Sequence, residues 1–103
     1  MDKETLYPIV ANTRAVKNNE EIDVLRWATK ITVEGHVEVL RHCKPGLRES
    51  QLAALFLNYC QYNYFCGKVQ PYQSIVCCGP SAATLHYIDN ENYLEEGKTM
   101  LVD

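Results

Sequence analysis

Two residues late in the chain combine a reactive side chain with a placement that a fold can hold rigid. They are His86, in Ala82-Ala-Thr-Leu-His-Tyr87, and Asp103, which ends Lys98-Thr-Met-Leu-Val-Asp103. An imidazole titrates near neutral pH and can give or take a proton. A carboxylate is a hard oxygen ligand, suited to a hard divalent cation or to acid–base work, and the end of a strand fixes its direction. Both residues also have plainer readings. A single histidine in a turn is more often a structural hydrogen-bonder, and a terminal aspartate is by default frayed and solvent-exposed. Residue types alone leave those alternatives open.

Other ligand-like groupings fail on spacing. Glu34, His36 and Glu38 alternate along a predicted helix, where side chains two apart diverge by about 200°, so we expect a solvated flank. The loop holding Asp89, Asn90, Glu91 and Asn92 lacks the Gly and Glu positions of an EF-hand calcium loop. The cysteines (Cys43, Cys60, Cys66, Cys77 and Cys78) are odd in number and include no Cys-x-x-Cys. Neighbouring Cys77 and Cys78 would point to opposite faces of a strand. We expect reduced thiols packed as small apolar side chains, as in a cytosolic protein. There is no P-loop, Gly-x-Gly-x-x-Gly, Gly-x-Ser-x-Gly or His-Glu-x-x-His motif, so nucleotide-binding, serine-hydrolase and zincin readings have no support at the motif level.

The elements that must position His86 and Asp103 are legible. Apolar, β-branched runs at 74–78 and 99–102 read as strands, the first punctuated by Gly79-Pro80 and the second led in by Glu96-Gly97. Upstream, Asn18-Asn-Glu-Glu21 offers a capping-box variant. From there Ile22, Leu25, Thr32, Gly35 and Val39 recur at helical spacing, and the helix should reach about Cys43 before Lys44-Pro45-Gly46 stops it. A second helix should start near Arg48, carry Leu52, Leu55, Phe56, Tyr59 and Cys60 on one face, and end at Gly67. Its tyrosines (Tyr59, Tyr62, Tyr64) read as a half-buried packing surface. Leu6-Tyr-Pro-Ile-Val10, with Pro8 inside, reads as an edge strand or extended lead-in.

The composition is that of a globular domain: 103 residues, 47% hydrophobic and 22% charged. A formal charge of −3 argues against electrostatic binding to nucleic acid or an anionic membrane. No apolar run is long enough for a membrane span, and the polar Met1-Asp-Lys-Glu-Thr start has no signal-peptide character. We therefore expect a cytoplasmic location.

Ala82-Ala-Thr-Leu-His-Tyr87 followed by Leu-Val-Asp103 resembles the Xaa-Pro dipeptidases (prolidases) and the related aminopeptidases P. These belong to the creatinase–methionine aminopeptidase superfamily with its pita-bread fold. Leu6-Tyr-Pro-Ile, Lys17, Glu20-Glu21-Ile, Leu25-Arg26 and Lys44-Pro-Gly46 stand in the same order, and Tyr87 favours this branch over methionine aminopeptidases. The resemblance implies an α+β fold: a partial pita-bread domain with two helices packed on an incomplete antiparallel sheet. Residues 1–16 would be a linker or lead-in strand and 17–103 the N-terminal part of the catalytic domain. It implies two divalent metal ions, most commonly manganese, bound by two Asp, one His and two Glu. Asp103 would be the first of those Asp ligands. His86 would contact substrate and shuttle protons without binding metal. The remaining ligands would lie downstream, so the chain alone is expected to be inactive, unstable or self-associating. Ser81, where relatives often have Asn, and Gly97-Lys98, where they often have Gly-Asp, depart from the pattern.

The expected parent is a homodimeric dipeptidase acting on proline-containing dipeptides. Its alternatives are an aminopeptidase P that removes the residue before proline, or a non-catalytic pita-bread binding module. A small interaction protein of accidental likeness is a further rival.

Overall fold

The structure, a computed structural model, describes residues 3–68 and 70–103. The chain falls into two compact units, one running to Lys30 and the other Ile31–Asp103. Its helices are α1 (Lys3–Ala15), α2 (Asn19–His42) and α3 (Glu49–Tyr64), and its strands are β1 (Val76–Cys78) and β2 (Met100–Val102).

In the first unit, the stretch expected to be extended is part of α1. A lone extended segment needs a neighbouring strand to pair its backbone groups, whereas a helix pairs its own. Pro8 removes one such bond, at a cost of about 3 kcal/mol, and the helix tolerates it in its second turn. Glu4 in the first turn and Arg14 in the last complement the helix dipole, and the Lys17 ammonium donates to the Arg14 carbonyl. The start of α2 follows the sequence closely. The Glu21 amide donates to Asn18 Oδ1 at 2.8 Å, and the Asn18 amide donates to Glu21 Oε2 at 2.9 Å. This is a reciprocal capping box.

In the second unit, Ile31, Gly35 and Val39 are the buried positions of α2, four residues apart as one helix face requires. Gly35 serves close approach: a Cβ there would lie 2.7 Å from Phe56 Cε2 and 3.2 Å from Cys60 Sγ, both on α3. The turn at Gly46 (φ +89°) then reverses the chain into α3. The core joins Val39, Leu52, Val76, Cys78 and Leu94, each such apolar side chain contributing about 1.5–3 kcal/mol by leaving water. α3 ends earlier than Gly67, at Phe65, which takes the left-handed conformation (φ 55°) with its ring 93% exposed. With that ring in water, burial gives the helix nothing to gain by running further.

β1 and β2 pair antiparallel, with Val76 opposite Val102, Cys77 opposite Leu101 and Cys78 opposite Met100. Gly79-Pro80 opens a 3₁₀ helix, Gly79–Ala83, rather than a simple turn. The expected α+β arrangement of helices on a small antiparallel sheet is therefore present, with one helix more than the two expected.

Candidate functional site

Asp103 is held beside β1 at the end of the sheet. Its amide donates to the Ile75 carbonyl and its carbonyl accepts from the Ile75 amide, both at 2.8 Å. The ladder thus continues one residue past β2, and the aspartate is not frayed. Its Oδ1 accepts from the Tyr72 hydroxyl at 3.1 Å, and that bond holds the Tyr72 hydroxyl above the usual phenol range. The carboxylate remains exposed, with Oδ2 accepting no hydrogen bond among the described residues. A small cavity beside it is lined by His36, Phe56, Ser74 and Val102.

His86 does not share that cavity. It sits in the turn after the 3₁₀ helix, exposed, with φ at 53°. The left-handed conformation costs a residue with a Cβ about 1–2 kcal/mol, although histidine tolerates it better than most. Leu85 before it is 84% exposed, while Tyr87 after it is buried. The turn therefore pushes Leu85 and His86 outward and anchors itself at Tyr87.

The anchor is Glu49, whose role was not legible in the sequence. Glu49 is the first residue of α3 and is 0% exposed. Its Oε1 accepts from the Cys78 amide at 2.8 Å and from Ser81 Oγ at 3.1 Å. Its Oε2 accepts from the Tyr87 hydroxyl at 2.7 Å and from the Asn92 amide at 3.1 Å. These four donors are uncharged, so they and the positive end of α3 stabilise the buried charge. The bond to Glu49, with burial second, raises the Tyr87 hydroxyl above its ordinary range. Asn90 plays a parallel part. Its Oδ1 accepts from the Val76 amide at 2.7 Å and its Nδ2 donates to the Ser74 carbonyl at 2.9 Å. The register points the amides of Val76 and Cys78 away from β2. Asn90 and Glu49 satisfy them, so side chains cap that edge of β1. The Asp- and Asn-rich loop is thus a structural clamp, and its carbonyls at Asn90 and Asn92 also receive the Ser50 and Glu49 amides of α3.

The alternating residues of α2 are not the solvated flank expected. Glu34 accepts from the Tyr59 hydroxyl at 3.2 Å and from the Tyr64 hydroxyl. His36 meets Phe56 edge-on, with ring centroids 5.1 Å apart. Close approach at Gly35 brings α3 over this face and half-buries it. The bond to Glu34, with burial second, pushes the Tyr64 hydroxyl up to about 12. Tyr59 and Tyr64 pack as expected, whereas Tyr62 is 80% exposed. All five cysteines are free, and burial raises the Cys60 and Cys77 thiols.

Among the described residues no three His, Cys, Asp or Glu side chains converge on a point where a cation would sit. What the chain offers a metal is one rigidly mounted carboxylate with an open oxygen, at Asp103. Such a hard oxygen donor is chemically able to serve as a single cation ligand. Tyr72 and Glu49 are the polar residues that sequence reasoning missed. Glu49 stands there only beside Arg48 at the expected start of the second helix, and Tyr72 only ahead of the first expected strand.

Residues 23–103 match the model of metallopeptidase family M24. The chain is 33% identical over 102 residues to the Xaa-Pro dipeptidase of Rattus norvegicus, covering 95% of this chain and 20% of that protein. It is 30% identical over 96 residues to the Xaa-Pro aminopeptidase of Haemophilus influenzae, covering 93% and 22%. Zinc-substituted Escherichia coli aminopeptidase P, solved in complex with product, superposes with a TM-score of 0.84 at 32% identity, covering 100% of this chain and 22% of that one. The chain thus spans about a fifth of the relatives it matches.

Proposed function

Since the chain belongs to metallopeptidase family M24, we propose that it forms the N-terminal part of a catalytic domain that hydrolyses Xaa-Pro dipeptides. In this reading Asp103 is one ligand of a dinuclear site, manganese being the expected metal, and His86 contacts the substrate. The observation that carries the reading is the mounting of Asp103: backbone bonds to Ile75 on both sides of one residue and a single hydroxyl on one carboxylate oxygen, with the other left open. When bound, such a metal pair would supply an acidified water and a polarised carbonyl. The chain's own contribution is to aim one hard oxygen at that site and to present an imidazole able to move a proton. The other ligands would come from parts of the domain that this chain, about a fifth the length of its relatives, does not span. A second reading is an aminopeptidase P acting on longer peptides with proline second, supported by the likeness to the E. coli enzyme.

The test uses the full-length protein. We expect manganese-dependent release of proline from Gly-Pro exceeding cleavage of longer Xaa-Pro peptides; the reverse preference would favour the second reading. Asp103→Asn should lower activity beyond the roughly 10–100-fold typical of losing an outer-shell partner. Full rate at limiting metal would remove Asp103 from the ligand set. His86→Ala should lower kcat with bound metal unchanged.

A further inference from the structure

We propose that Glu49 and Tyr87 are positioning residues for His86, holding its imidazole where the reaction needs it. This deepens the functional reading above and rests on it. A buried carboxylate without a cation is costly unless hydrogen-bond donors gather on it. What Glu49 does that an apolar residue could not is gather donors, and all four lie between Cys78 and Asn92, the segment that carries His86. The Tyr87 hydroxyl is fixed from two directions, donating to Glu49 at 2.7 Å and accepting from Asn92 Nδ2 at 2.9 Å. The residue immediately before this anchor is His86, exposed and left-handed at φ 53°. A residue held in a sparsely populated conformation needs its surroundings to over-determine it. Here the peptide unit joining it to Tyr87 transmits that constraint. The exposed imidazole therefore projects from a backbone that is fixed in place.

The experiment is a double-mutant cycle in the full-length enzyme, read as kcat and KM for Gly-Pro. Tyr87→Phe keeps the ring and removes the hydroxyl. We expect kcat to fall about tenfold, the scale of one hydrogen bond to a charged group, with KM and bound metal unchanged. In the His86→Ala background, Tyr87→Phe should cause no further loss, because the residue it positions is gone. Glu49→Gln should behave in the same way, and if it fails to fold the Tyr87 cycle still decides. A Tyr87→Phe loss that persists in full without the imidazole would show a general structural role and overturn the inference, as would a fully active Tyr87→Phe. Full turnover by His86→Ala would instead sink the functional reading and the inference with it. The single variants therefore tell the two failures apart.

Discussion

Glu49 and Asp103 are both carboxylates brought to the margin of one two-stranded sheet, and they differ in how many donors reach them. Four hydrogen bonds converge on Glu49, which is wholly buried; one reaches Asp103, which is exposed. A carboxylate whose lone pairs are occupied by its own fold has none left for a ligand. One that is rigidly held yet mostly unoccupied is available for chemistry. Acidic character is therefore a poor guide to function, and donor occupancy is a better one. Glu34, half-buried with two tyrosine hydroxyls, lies between these extremes.

Three measurements would break or sharpen this contrast. Glu49→Ala should destabilise the chain by roughly 3–5 kcal/mol in urea unfolding, because it strands several buried donors at once. A loss under about 1 kcal/mol would mean that the donors find other partners. Alkaline titration should show the intermediate case. Folded Tyr64 holds its proton to about 12, against about 10 in an unfolded chain. Its contribution to stability is thus fully present below pH 10 and lost as pH rises from 10 to about 12. Tyr64→Phe should remove that part of the alkaline fall; an unchanged profile would discount the bond to Glu34. The smallest effect is expected at Asp103→Asn, within about 0.5 kcal/mol of wild-type stability, because the amide retains an acceptor for Tyr72. A large loss would make Asp103 structural like Glu49 and erase the distinction.

Local signals carried α2, α3 and the strands well. Asn18 and Glu21 announced the start of α2, and Lys44-Pro45-Gly46 its end, because capping and chain reversal are settled by residues a few positions apart. The runs at 74–78 and 99–102 contained both strands. Local reasoning failed at Leu6–Val10, where Pro8 was weighted over self-paired backbone, and at Glu34 and His36, whose half-burial depends on how closely Gly35 lets α3 approach.

By itself, the sequence indicated α2, α3 and both strands, singled out His86 and Asp103 as candidates and, through Ala82–Tyr87 and the final Leu-Val-Asp, pointed to the family. The tertiary structure alone decided which carboxylate is occupied and which is open. The partners of Glu49 lie 29 to 43 positions away, and Tyr72 reaches Asp103 across 31. Hydrogen bonds between side chains brought together only by folding leave no periodicity in the chain, so their geometry had to be seen to be known.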